Sequence, residues 1–313
     1  MSLEAPLYHE LANAPAHGRA FRFKAGRREL RGAVWDGGAR GVVYIFTGRT
    51  EYIEKYGRVI AALAERGFSV ATLDWRGQGL SARALNDPLK GHVADFAAYQ
   101  NDVKAFLATP DVAALSGPQV LLCHSMGGCI GMRALLEERI TPTATIMSAP
   151  MLGIFLKPHL RLAAKAMVAL ARRFGFETAS TPAPGGGRPY VLGQSFEGNV
   201  LTGDAEHYGW MRRHLEAEPA FGLGAPTLGW MGQSFDEMAA LAAAPAPAGP
   251  MLMFLGDDEE VVDPAAIRAH DAKSPECRLV ELADARHEVF METPSIRKAA
   301  WSEIDRFLAD QGV

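Results

Sequence analysis

The chain has 313 residues, of which 48% are hydrophobic and 22% charged, with a formal net charge of -4. That composition fills one large core, or one core plus a smaller inserted domain, and it excludes disordered and fibrous classes. A mildly acidic balance leaves no electrostatic footprint for nucleic acid.

The opening M-S-L-E-A-P-L-Y-H-E lacks a basic region running into an apolar core, and no apolar run reaches bilayer-spanning length, so a cytoplasmic protein is expected. Ala20 to Phe23 and Glu29 to Trp35 alternate around Ala25-Gly26-Arg27 and predict an antiparallel hairpin. Gly41 to Phe46 is an apolar strand ending in Thr47-Gly48-Arg49-Thr50-Glu51, and Tyr52 to Arg66 follows with helical spacing. Ser69 to Leu73 is the next strand, closed by D-W-R-G-Q-G-L-S from Asp74; Asp95 to Leu107 is helical.

Gln119 to Cys123 then reads as a buried strand, and Gly127, Gly128, Gly131 and Ala134 recur near helical spacing after it. A strand-to-helix turn is therefore expected at Ser125, which would lift its hydroxyl above the sheet on a strained backbone. Cys123 stands where the G-x-S-x-G pattern has its first glycine, so an ordinary glycine-rich turn also fits this stretch alone. Thr145 to Ser148 is a further strand.

From Met151 to Gly249 the alternation stops. This stretch is helical where periodic, is interrupted by T-P-A-P-G-G-G-R-P-Y from Thr181 to Tyr190, and closes in a Pro/Ala linker ending at Pro250. It reads as an inserted lid. The expected organisation is a core of residues 1–150 and 250–313 with a helical lid of 151–249. Alternation resumes with a strand from Met251 to Leu255, the acidic loop Gly256 to Pro264, a helix from Pro264 to Ala272, a strand from Arg278 to Leu282, the loop Asp284-Ala285-Arg286-His287-Glu288, and a helix from Ser295 to Leu308. Alternating strands and helices imply a mostly parallel sheet flanked by helices, whose carboxyl-end loops build the site.

Along the chain the order is Ser, acid, His. A serine hydroxyl becomes a nucleophile when an imidazole accepts its proton, and a carboxylate fixes that imidazole's tautomer and stabilises its charged form. Only His287, of nine histidines, follows the last strand downstream of an acidic loop. Three cysteines, Cys123, Cys129 and Cys277, provide neither a disulfide framework nor metal-ligand spacing, which suits a reducing compartment.

T-G-R-T-E-Y-I-E-K-Y from Thr47, D-W-R-G-Q-G-L-S from Asp74, K-G-H-V-A-D-F from Lys90, H-S-M-G-G from His124, S-A-P-M from Ser148, V-V-D from Val261 and A-R-H-E from Ala285 together resemble the monoacylglycerol lipase and lysophospholipase L2 group of the α/β-hydrolase fold. The resemblance implies Ser125 as nucleophile and His287 as general base. It places the acid at Glu259, with Asp258 and then Asp257 as substitutes, because the family usually has Asp where this chain has Glu. It also implies an oxyanion hole from the backbone N–H groups of Arg49 and Met126. The implied reaction is hydrolysis of a lysophospholipid or monoacylglycerol-like ester through an acyl-serine. Acyl transfer by the same triad and a catalytically silent hydrolase fold that binds a ligand are the alternatives. No metal and no organic cofactor are implied.

The glycine-rich loop at Arg76, Gly77 and Gly79 lacks the pattern of a phosphate cradle and reads as support for the site, as does His92; His124 reads as a packing or hydrogen-bonding neighbour. Trp210, Trp230, Met231 and Phe235 are candidates for an acyl pocket. Lys157, Arg161, Lys165 and Arg172 fall near one face of a lid helix, which reads first as a solvated face and second as a basic surface for peripheral contact with an anionic inner membrane.

Overall fold

A strand whose every residue is buried must be covered on both sides, and four segments of this chain have that property in the computed structural model, which describes residues 3–182 and 187–313. They are β4 (Gly41–Phe46), β5 (Phe68–Asp74), β7 (Ala144–Ser148) and β8 (Met251–Gly256). With β1 (Leu3–Ala5), β2 (Arg19–Ala25), β3 (Arg28–Trp35), β6 (Gln119–His124) and β9 (Cys277–Leu282) they form one nine-stranded sheet in the order β1-β2-β3-β5-β4-β6-β7-β8-β9. The pairs from β5 through β9 are parallel, and β1 to β3 add an antiparallel edge. Gly26 turns the β2–β3 hairpin at φ 63°, a conformation that favours glycine.

Successive residues of β4 face opposite layers. Val42, Tyr44 and Phe46 pack with Tyr99, Phe106 and Ile130 from the helices Ala98–Leu107 and Met126–Leu136. Val43 and Ile45 pack with Ile60, Leu63 and Ile304 from the helices Gly57–Glu65 and Pro294–Asp310. Between β7 and β8 the described residues contain the helices Pro158–Phe174, Tyr190–Gly193, Ala205–Ala217 and Leu228–Ala243 and contribute no strand to the sheet. The Thr181 to Tyr190 interruption lies partly outside the described residues.

Two helices start later than their periodicity suggests. Asp95 Oδ1 accepts from the Ala97 N–H at 2.9 Å, a local turn that delays the helix to Ala98. Ile53–Tyr56 form a tighter 3₁₀ turn with all four side chains buried, three of them polar, before the α-helix begins at Gly57. Lys55 lines the site and Tyr56 bonds Glu51 beneath it, while Glu54 pairs with Arg31.

Candidate active site

Ser125 sits between β6 and the helix Met126–Leu136 with φ 50° and ψ -118°. For a residue with a Cβ this is a strained conformation, of a kind that costs about 1–3 kcal/mol and persists only where the surroundings impose it. The surroundings here are tight: a Cβ on Gly127 would lie 2.0 Å from the Phe46 carbonyl oxygen, and one on Gly131 would lie 2.5 Å from Cys123 Sγ. Cys123 is accommodated in the elbow because Gly131, one helical turn into α-structure, leaves room for its thiol.

His287 lies on the loop after β9. Its Nδ1 is 2.8 Å from Glu259 Oε2, and since a carboxylate only accepts, Nδ1 carries a proton, which in the neutral imidazole leaves the lone pair on Nε2. Glu259 is buried, and its Oε1 accepts from the Val261 and Val262 N–H groups at 2.6 and 3.0 Å. Burial pushes the Glu259 carboxyl up, but His287 and the two backbone donors outweigh it and hold its pKa below the ordinary value. Of the three acidic candidates, only Glu259 meets the histidine. Asp257 is exposed, and Asp258 is turned outward to Arg286 Nε at 3.4 Å.

Ser125 and His287 open onto one cavity of about 400 Å³. Among the described residues, neither Ser125 Oγ nor His287 Nε2 has a hydrogen-bond partner. The walls are chiefly apolar and include Met151, Ile154, Val191, Leu201, Met211, Leu215, Leu223, Trp230 and Met231. Trp210 and Phe235 do not line it. The Trp210 indole donates to the Leu11 carbonyl at 3.1 Å beneath Arg58, and Phe235 packs outside the cavity.

The loop after β4 contributes Arg49, Thr50 and Glu51 to the wall of the same cavity. The Gly48 N–H is bonded to Glu51 Oε2, whereas the N–H groups of Arg49 and Met126 donate to no described protein acceptor. Met126 is also the first residue of its helix, where the dipole favours negative charge. The D-W-R-G-Q-G-L-S stretch holds this loop: Trp75 Nε1 donates to the Thr47 carbonyl at 2.9 Å and Gln78 Nε2 to the Gly48 carbonyl at 2.7 Å. Asp74 is buried and accepts from Ile53 N, Leu80 N and Arg31 Nε at 2.7–2.9 Å. Arg76 is held by Asp102 at 2.5 and 2.8 Å. His92 Nδ1 lies 2.8 Å from Thr227 Oγ1, which caps the helix Leu228–Ala243.

A cluster of charges beneath the site is absent from the sequence-based reading. Lys55 Nζ bonds both Glu51 and Glu288, the Tyr56 hydroxyl donates to Glu51 Oε2 at 2.6 Å, and His124 Nε2 stands 3.4 Å from Glu288 and 3.8 Å from Glu51. His124 Nδ1 donates to the Ser148 carbonyl at 3.1 Å, and its ring centroid is 4.7 Å from that of His287. Burial pulls His124 down, yet Glu288 and Glu51 prevail and raise its pKa above the ordinary value. Burial likewise pushes Glu288 up, but Lys55 and His124 hold it well below the usual carboxylate range. Glu51 and Lys55 are four apart, the one local signal; Glu288 joins them only through the fold.

A mostly parallel sheet with a serine elbow after one strand and a carboxylate-held histidine after the last defines an α/β-hydrolase of serine-hydrolase type. The chain belongs to the family described as serine aminopeptidase, S33, whose model matches residues 37–294. It is 33% identical to lysophospholipase L2 of Escherichia coli K12, over 84% of this chain and 74% of that protein. It is 27% identical to a probable lysophospholipase L2 of Haemophilus influenzae, over 86% and 84% of the respective lengths. Its fold matches that of a soluble variant of monoglyceride lipase from Saccharomyces cerevisiae with a TM-score of 0.72 at 18% identity, covering 93% of this chain and 96% of that one. No helix of the described residues is long and apolar enough to cross a membrane.

Proposed function

We propose that this protein hydrolyses carboxylic esters of monoacyl lipids through an acyl-serine intermediate. The observation that carries the proposal is the shared apolar cavity onto which a strained Ser125 and a Glu259-held His287 both open. The lysophospholipase L2 relatives support the lipid class. In the first half-reaction His287 Nε2 takes the Ser125 proton as Oγ attacks the ester carbonyl. Glu259, charged and buried, stabilises the resulting imidazolium. The carbonyl oxygen gains its charge against the Arg49 and Met126 N–H groups, each such donor being worth about 3 kcal/mol in the transition state. The imidazolium then protonates the departing alcohol oxygen, and water repeats the sequence to release the fatty acid.

Residues 151–249 serve in this reading as a lid. The helix Pro158–Phe174 buries only small side chains, Ala164, Val168 and Ala171, and leaves Leu162, Leu170 and Phe174 exposed. Arg161 and Arg172 are paired with Asp263 and Asp236, while no carboxylate among the described residues is paired with Lys157 or Lys165. Large apolar groups outward with basic neighbours suit peripheral contact with an anionic membrane from the cytoplasmic side, measurable as co-sedimentation with anionic vesicles and its absence with zwitterionic ones.

The decisive test is turnover of p-nitrophenyl esters across chain lengths, beside fluorophosphonate labelling with peptide mapping, for the wild type and Ser125→Ala. Turnover and a label on Ser125, both lost in the variant, are expected. A folded wild type with neither turnover nor label would overturn the hydrolase reading in favour of a silent ligand-binding fold. Product analysis with added glycerol separates hydrolysis from acyl transfer.

A further inference from the structure

Arg49 is one of the residues that line the cavity, and no described carboxylate neutralises its charge. Of its five N–H donors one, on Nη2, finds an acceptor, the Gly224 carbonyl at 2.7 Å; Nε is buried with no partner. No carboxylate among the described residues forms an ion pair with it, and residues 1, 2 and 183–186 include no acidic side chain. The guanidinium stands over the Trp230 ring, with Cζ 5.1 Å from the centroid, and Gly91 lies so close beneath that a Cβ there would meet Nη2 at 2.3 Å. Lys55, the other permanent cation of the cavity wall, is already bonded to two carboxylates.

An uncompensated cation out of bulk water is costly, and burial pushes the Arg49 pKa down to about 10. A structural arginine in such a place normally has a carboxylate, as Arg31 has in Glu54 and Asp74. Resting on the ester-hydrolase reading above, we infer that the Arg49 guanidinium binds the phosphate of a lysophospholipid headgroup, making phosphate-bearing monoacyl lipids rather than neutral monoacylglycerols the preferred substrates. The dimensions agree. An arginine side chain sets its guanidinium roughly 6 Å from its own backbone, and an acyl carbonyl is separated from the phosphorus by a glycerol span of about the same length, given bonds near 1.5 Å. If the Arg49 N–H faces the ester oxygen, its side chain is matched in reach to the headgroup of the same molecule. Free donors on a planar fork are the usual means of holding a phosphodiester.

The test compares kcat/KM for 1-lauroyl lysophosphatidylethanolamine and for monolauroylglycerol, both below their micellar concentrations, in the wild type, Arg49→Met and Arg49→Lys. The ratio of phospholipid to glyceride is expected to fall about tenfold or more in Arg49→Met and to recover in part in Arg49→Lys. Rates on both substrates falling together, with the ratio unchanged within about twofold, would show that Arg49 only ties its loop to Gly224 and would overturn the inference. Binding is read separately from turnover in the Ser125→Ala background. There, dodecylphosphocholine should raise Tm only while Arg49 is present, and 1-O-dodecylglycerol should act alike with and without it. An equal shift from inorganic phosphate alone would assign the site to a free anion and overturn the headgroup assignment. If the wild type cleaves neither ester yet the Arg49-dependent shift persists, the hydrolase reading fails and the recognition site stands.

Discussion

Gly131→Ala should destabilise this protein, and the same substitution should stabilise it once Cys123 is replaced by glycine. The new Cβ would lie 2.5 Å from Cys123 Sγ, while its next neighbours, Leu121 Cδ2 and Cys123 Cβ, are at ordinary contact distances of 3.6 and 3.7 Å. Overpacking of this kind costs about 1–3 kcal/mol. Alanine in a helix interior returns about 1 kcal/mol relative to glycine, so the net loss in the wild type is about 0–2 kcal/mol. In Cys123→Gly the clash is gone and only the propensity gain of about 1 kcal/mol remains. Propensity cancels in the double-mutant cycle, leaving a coupling of about 1–3 kcal/mol equal to the steric term. Urea unfolding of the four proteins, with m checked for constancy, measures it. Additive effects within about 0.5 kcal/mol would refute the view that Gly131 is what admits a cysteine into the elbow.

Glu259→Gln should lower kcat about 10³- to 10⁴-fold, because an amide at Nδ1 no longer enforces the reactive tautomer, whereas Asp258→Asn should stay within about twofold; comparable losses in both would remove Glu259 from its role. Lys55→Met leaves Glu51 and Glu288 buried without their cation and should cost about 3–5 kcal/mol at neutral pH in urea unfolding, and a loss below about 1 kcal/mol would contradict the electrostatic account of the cluster. His214 is buried, donates Nε2–H to the Leu11 carbonyl at 2.7 Å, and is pushed down to about 4 by burial. Its folded pKa lies below the unfolded value of 6.5, so its contribution is present above pH 6.5 and is lost as the unfolded chain takes up the proton between 6.5 and 4. The wild type should therefore lose about 3 kcal/mol more than His214→Gln over that interval, and parallel pH profiles would contradict it.

Much of the sheet was legible because parallel strands buried on both faces must be continuous apolar runs, and Gly41–Phe46 and Met251–Gly256 declare themselves that way. The helix Pro264–Ala272 was equally plain, opening on Asp263, whose carboxylate caps Ala265 N, followed by proline. β1 escaped because three residues carry no period. The serine, histidine and glutamate were legible as an order of loops, but the partnership of Glu259 rather than Asp258 depends on which side chain the turn points inward, and that is fixed by the Val261 and Val262 amides. Of the aromatic and methionine candidates, Trp230 and Met231 line the cavity while Trp210 and Phe235 pack elsewhere, since such residues on amphipathic helices serve cores and cavities alike. Glu288 was invisible as a partner of Lys55 because 233 residues separate them.

Glu51, Lys55, His124 and Glu288 come from the loop after β4, the turn that follows it, the end of β6 and the loop after β9, and they share one set of charges. Such a set constrains how relatives diverge. Loss of Lys55 leaves two buried carboxylates without their permanent cation, so a lineage that loses it must neutralise a carboxylate at 51 or 288 at nearly the same time. Position 55 should therefore change only together with 51 or 288, whereas either carboxylate can be lost alone while the other still holds the lysine.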